Sequence, residues 1–298
     1  MSFADSISRM IEGTALENEP LNRHTSFGIG GPADFFIRPA SEKELVEVLR
    51  ITREQGVKVM VIGRGTNILV GDGGFRGAVV DLRDACRRLE CDGREVVVGA
   101  GVTVTELLDF CLSHELGGLE FMAGIPGSIG GAVRVNAGAW GLAIGDRVEA
   151  VRGYDLTGQE VTLERRQLRF DYRQAGLPSE LVLTETRLSL RPEQAGAIGE
   201  KMEDFRRRRR HQPIDQKSAG SVFKNPPSTP AGQLIEEAGC KGMRVDGAQV
   251  SPQHANFIIN LGEATAAAVR ELIGQVRRKV KERSGIELEL EIISVGED

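Results

Sequence analysis

The sequence predicts an α+β chain divided into two domains or three small lobes. Three observations carry that expectation. The chain has 298 residues, more than a single small module needs. Hydrophobic residues make up 40% and charged residues 27%, enough for a sizeable core and too apolar for disorder. Apolar runs of strand type alternate with capped, helix-type segments along the whole length.

Taken in order, residues 1–15 read as a short helix, and the glycine-rich turn FGIGGPAD leads into a strand, FFIRP. Ser41 N-caps a helix to about residue 55, with Glu44 completing a capping box, and Gly56 stops it. VKVMVI (57–62) is nearly all apolar and reads as a buried strand. GAVVDL (77–82) and REVVVGAG (94–101) read as further strands. Thr103 and Glu106 form a second capping box ahead of the helix ELLDFCLSHEL. After a glycine-rich stretch, 117–141, the strands VEAVRGYDL and QEVTLE flank a Thr157-Gly158 turn, and LVLTETRLSL (181–190) alternates as another strand. A helix ending in Arg206–Arg210, read as a solvated end in preference to a diphosphate contact, runs into HQPIDQK, where a domain boundary is expected. Thr229 is placed to cap a helix with Pro230 in its first turn and Gly239 at its end. The strand ANFIIN, a helix over about 265–283 and the strand IELELEIISV close the chain.

Composition limits the function. A net charge of −5 does not suggest a nucleic-acid or membrane partner. Cys86, Cys91, Cys111 and Cys240 contain no CxxC, and His24, His114, His211 and His254 are scattered, so no metal site is expected. Reduced cysteines and the lack of a signal-peptide pattern point to the cytoplasm. No apolar run is long enough to span a membrane.

Two glycine-rich segments stand out. In VKVMVIGRGTNILVGDGG, Gly63 and Gly65 follow a strand, but the apolar run ILV comes next where a dinucleotide-binding Rossmann turn would open a helix. Backbone N–H groups over Gly63, Arg64, Gly65, Thr66, Asn67 and Ile68 offer a nest for a pyrophosphate, or simply a tight turn. In GLEFMAGIPGSIGGAVRVNAGAWG, Gly124, Gly127, Gly130 and Gly131 surround Ile125, Pro126, Ser128 and Ile129. Apolar residues inside a glycine loop suit a flat ring in close backbone contact; a structural Ω-loop is the bland alternative.

Together with HTSFGIGGPADF, FDYR, AGSVFKNP and ELELEI, these segments resemble the UDP-N-acetylenolpyruvoylglucosamine reductase family, whose flavin lobes are of vanillyl-alcohol-oxidase type. The stretches stand in the family's order from residue 24 to 291. Only Tyr154 and Tyr172 are present, so the chain looks like the shorter branch that lacks a tyrosine-bearing loop. The resemblance implies a two-lobed FAD-binding domain (1–85 and 86–205) and a smaller α+β substrate-binding domain (206–298), with the last strand, about 286–295, packing back on the FAD lobes. It implies non-covalent FAD held by residues 63–68, Ala100, Gly101, Gly124, Ile125, Pro126, Gly127, Ser128, Gly130, Gly131 and Ala132. It further implies NADPH as hydride donor and the enolpyruvyl ether of UDP-N-acetylglucosamine as substrate.

Three residues then fit the chemistry. Arg173 would meet the substrate carboxylate with its planar fork, Ser221 would protonate C2, and Glu291 would hold the enol-like intermediate. Lys224 and Asn225 match substrate-side positions, with Lys224 also placed to support Ser221; Asn256 would line the sugar site. Leu290 stands where the family commonly has Pro and Ile293 where it often has Arg, which leaves Glu289 as the alternative carboxylate. An FAD-dependent oxidase on the same flavin lobes, or a non-catalytic flavin-binding subunit, would explain the glycine segments but not AGSVFKNP.

Overall fold

The computed structural model describes residues 3–298; residues 1 and 2 of the expected first helix lie outside them. Seven helices appear among the described residues. They are α1 (Phe3–Ser8), α2 (Glu42–Glu54), α3 (Val104–Ser113), α4 (Ile129–Arg134), α5 (Ala195–Arg209), α6 (Ala231–Glu237) and α7 (Ala266–Ser284). The chain divides into two compact units. Unit 1 is Met1–Glu17, Phe35–Arg64 and Gly77–Arg209; unit 2 is Asn18–Asp34, Gly65–Arg76 and Arg210–Asp298.

In unit 1 a five-stranded antiparallel sheet has the order Glu160–Glu164, Val148–Tyr154, Val182–Ser189, Glu95–Gly99, Leu89–Asp92. Leu107, Leu108 and Cys111 of α3 bury one helix stripe against Val96, Val98 and Val148. The reciprocal capping box expected for α3 is present, with Thr103 Oγ1 accepting from Glu106 N and Glu106 accepting from Thr103 N. A second core joins Leu45, Val48 and Leu49 of α2 to Ile37, Ala78 and Val80.

Three local expectations change here. Ser41 does cap α2, but the Glu44 carboxylate accepts from the backbone of Ala40, Glu12 and Gly13 instead of closing a box on Ser41. Glu12 and Gly13, remote in sequence, supply donors that take this carboxylate. The apolar run at 57–62 forms the strand Val59–Ile62, parallel to Phe75–Asp81, yet only Ile62 is buried and Val61 is 40% exposed. The first helix ends at Ser8, and Thr14–Pro20 is a strand.

Unit 2 is built on an antiparallel sheet ordered Ser218–Ser221, Phe257–Asn260, Ala248–Val250, Arg244–Val245. α7 packs on it through Val269, Leu272, Ile273, Val276 and Val280, one stripe at helical spacing. Thr265 caps its start and Gly285, at φ +73°, ends it. The Asp72 carboxylate also accepts from the N–H groups of Ala266 and Ala267.

The closing segment is not one long strand. Ile293–Val295 pairs in parallel with Ile68–Val70, while residues 286–292 form no strand and bridge only at Leu290 to Phe223. The alternation records that Leu288 and Ile292 are buried, not that a ladder exists. Thr229 does not cap α6. Its N-cap is Pro230, which has no side-chain cap bond, and Asn225 Oδ1 takes the Ala231 N–H at 2.9 Å.

Candidate active site

The glycine loop of unit 1 is sewn to the end of the strand Glu95–Gly99. Gly130 N donates to Ala100 O (3.0 Å), Ile129 N to Val102 O (2.8 Å), and Val104 N to Gly127 O (3.1 Å). The stretch read as loop contains α4, which starts at Ile129. Close approach explains two glycines. A Cβ on Gly130 would stand 2.7 Å from Ala100 Cβ, and one on Gly63 would stand 2.2 Å from the Ser128 Oγ. Gly131 is different: a Cβ there would meet nothing nearer than Ser128 Oγ at 3.6 Å. The protein's own packing therefore does not require glycine at 131, whereas a group lying against that backbone would.

Arg173 also belongs to unit 1. It sits in a tight turn closed by Asp171 and Gln174, at φ +57°. Its NH1 donates to Gly138 O at 2.8 Å and its guanidinium lies 5.2 Å from the Tyr172 ring centroid. Gly138 opens the small hairpin that carries Trp140 at its tip. Arg64, Ala100, Gly101, Pro126 and Ala132 lie in the same unit.

Unit 2 holds the other candidates. Gly65 turns at φ +60° with no room for a Cβ, which would stand 2.2 Å from His24 O. Ser26 N donates to Gly65 O, and Ser26 Oγ donates to Ser218 O at 2.6 Å. This serine ties the Gly65–Ile68 turn to the strand bearing Ser221. Asn67 Nδ2 donates to Glu291 O at 3.2 Å, while Glu291 N donates to Val222 O at 2.8 Å. Thr66, Asn67, Ser221 and Glu291 are thus on three segments bonded to one another.

The three alternating glutamates do not share an environment. Glu287 is exposed and paired with Lys281, and Glu289 is exposed with its carboxylate 3.4 Å from Lys224 Nζ. Glu291 is half-buried. Lys224, expected beside Ser221, turns its ammonium to Glu289. Asn256 is 4% exposed, and its amide is spent on one residue: Oδ1 accepts from Phe223 N (3.0 Å) and Nδ2 donates to Phe223 O (2.8 Å). It braces the segment two residues beyond Ser221. His254 stacks on His211 at 5.8 Å, and burial, then the His211 charge, pushes its pKa down.

One residue of note was hidden in the arginine run. Arg209 is 5% exposed, in contrast to the solvated end expected for that helix. Its NH1 donates to Ala123 O at 2.9 Å and its guanidinium lies 4.3 Å from the Trp140 ring centroid. Burial, then the nearby charge of Arg173, lowers its pKa to about 10. The signal was present: Ile198, Met202, Phe205 and Arg209 recur at helical spacing on the packed face of α5.

Among the described residues there is no group of three or more His, Cys, Asp or Glu able to hold a metal ion, and no helix long and apolar enough to cross a membrane.

Comparison with known proteins adds the following. Residues 33–164 match the family described as an FAD binding domain, and residues 212–295 match the C-terminal domain of UDP-N-acetylenolpyruvoylglucosamine reductase. A UDP-N-acetylenolpyruvoylglucosamine reductase of Moorella thermoacetica is 47% identical, over 95% of this chain and 93% of its own. One from Syntrophus aciditrophicus is 41% identical over 99% of this chain and 96% of its own. The crystal structure of the Thermus caldophilus enzyme superposes with a TM-score of 0.82 at 36% identity, covering 95% of this chain and 99% of that one. The glycine loop lies inside the FAD-binding match. The open face at Gly131, together with the backbone close to Ala100 and Gly63, is a cradle that a Cβ would narrow, and it fits a flat cofactor.

Proposed function

We propose that this chain, which belongs to the UDP-N-acetylenolpyruvoylglucosamine reductase family, uses NADPH to reduce the enolpyruvyl ether of UDP-N-acetylglucosamine to UDP-N-acetylmuramate. The observation that carries the reading is one chain holding both a glycine-loop cradle inside an FAD-binding match and a C-terminal domain that bears Ser221 and Glu291. An oxidase or a bare flavin-binding subunit leaves that C-terminal domain unaccounted for.

FAD, when bound, supplies the carrier that passes hydride from NADPH to the substrate's terminal enol carbon. The rest falls to the chain. Charge develops from C2 into the substrate carboxylate, and Arg173 meets that carboxylate with its planar donor fork. Ser221 delivers a proton to C2, completing the lactyl ether. Glu291 holds the enol-like intermediate; its half-buried setting favours this role over the exposed, lysine-paired Glu289. Asn256 contributes by fixing the backbone beside Ser221. Asn225 approaches the nucleotide part of the substrate, and Lys224 stands on the substrate side beside it. Residues 63–68, 100–101 and 124–132 surround the FAD. Within this reading, 1–85 and 86–205 are the flavin lobes and 206–298 is the substrate-binding domain. The reaction belongs to cytoplasmic peptidoglycan precursor synthesis, and so to cell-wall growth, cell shape and division.

The test is spectroscopic and simple. The purified protein is expected to be yellow with FAD and to oxidise NADPH at a rate that rises sharply when UDP-N-acetylglucosamine enolpyruvate is added. A colourless protein that rejects added FAD, or NADPH oxidation indifferent to that ether, overturns the reading.

A further inference from the structure

Arg209 is a cation in the wrong place for a structural residue. As a residue it is 5% exposed, and burying a guanidinium is costly unless an anion compensates it. No carboxylate does so among the described residues. Asp204, one turn back on the same helix, takes Arg207 and Arg208 instead. Ala123 O accepts one of the five guanidinium N–H donors, and the Trp140 ring offers a quadrupole, but neither carries a full negative charge. The charge of Arg173 is close enough to oppose it. A buried guanidinium with no carboxylate of its own, facing a second cation, is stabilised when a ligand brings an anion.

Both are fastened to a single small feature. Arg173 donates to Gly138 O at the base of the hairpin, and Arg209 packs under Trp140 at its tip. The hairpin therefore sets the spacing of the two forks. Arg209 also fills the ground beside Gly124, where a Cβ would lie 3.2 Å from its Cδ, so its position is fixed from the glycine loop as well.

We propose that Arg209 is a second cation for the substrate carboxylate, sharing with Arg173 the negative charge of the enolpyruvyl and lactyl groups. The inference rests on the assignment of Arg173 to that carboxylate and deepens it.

The experiment compares two ligands on FAD-loaded enzyme by isothermal titration: UDP-N-acetylmuramate, which carries the lactyl carboxylate, and UDP-N-acetylglucosamine, which lacks it. Arg209→Gln is expected to weaken the first by tenfold or more and the second by less than twofold, with FAD content unchanged. Equal weakening of both ligands, or no weakening of either, overturns the proposal. Arg209→Met, neutral and able to pack on Trp140, repeats the measurement if the glutamine variant does not fold. Arg173→Gln separates the two levels of the argument. If it too shows no carboxylate-selective loss, the assignment of Arg173 fails; if it does and Arg209→Gln does not, only the role of Arg209 fails.

Discussion

The glycine loop of unit 1 and the Ser218–Asn225 segment of unit 2 differ in what side chains do for their shape. The glycine loop is fastened by backbone-to-backbone bonds, with side chains missing where Ala100 and Ser128 press close. The Ser221 segment also has backbone pairing, to Phe257–Asn260, but side chains brace it as well: Asn256 on Phe223, Asn225 on Ala231, Ser26 on Ser218. In the first, a substitution fails by adding atoms. In the second, it fails by removing a partner and leaving buried backbone groups without one.

Four substitutions and conditions press on that difference. Ser221→Ala removes the hydroxyl proposed as proton donor while leaving its braces in place. Product formation is expected to fall about 10²-fold or more, while anaerobic stopped-flow still records reduction of FAD by NADPH. Normal turnover would remove Ser221 from the chemistry. Asn256→Ala keeps the Ser221 hydroxyl and removes the brace. It strands the N–H and C=O of Phe223, each worth about 1–3 kcal/mol when buried without a partner, so urea unfolding is expected to show a loss of about 2–5 kcal/mol. An unchanged midpoint would mean that the segment is held elsewhere. Gly130→Ala adds one methyl against Ala100. Overpacking of this kind costs about 1–3 kcal/mol, and here it should appear together with reduced FAD content in the absorbance spectrum, unlike the Asn256 variant. Full FAD occupancy in the alanine variant would show that the loop yields more easily than its contacts imply.

The smallest effect concerns acid. The folded state lowers the pKa of His254 below its ordinary 6.5, so it favours the neutral ring. Its neutral form is common to both states above pH 6.5. As pH falls through 6.5 the unfolded chain takes up a proton that the folded chain resists, and stability declines until the folded pKa is reached. His254→Phe is expected to flatten that part of the stability profile; an unaltered slope would assign the acid response to other groups.

What the sequence made legible follows the same division. α3 was readable because its capping box is local, and both halves of it formed. The cap on α2 was half readable, since the donors that capture Glu44 arrive from residues 12 and 13, which no local window contains. The strand Thr14–Pro20 gave almost no signal, its side chains being largely exposed and polar. The ELELEI run showed its period but not its missing partner strand. The glycine segments were readable as motifs, yet which glycine answers to packing and which to a ligand needed the neighbours of each Cβ. Arg209 was misread because a run of five arginines looks like a solvated end, and composition hid the one position that continues the apolar stripe.

The pairing of Ile68–Val70 with Ile293–Val295 sets a timetable for the newborn chain. At ordinary translation speeds of about 5–20 residues per second, residues 68–70 wait roughly ten to forty-five seconds on the ribosome before their partner exists. Gly71 and Gly73 wait as well, for Val295 O and Glu297 O. Leu69 and Val70, buried at the end, spend that interval without their final cover. Every residue of unit 1 has left the peptidyl-transferase centre by Arg209, so its core can condense while most of unit 2, Arg210–Asp298, is still being made. A messenger that stalls late in translation would leave a folded glycine loop tethered to an open, sticky second unit, which is a substrate for chaperones and proteases.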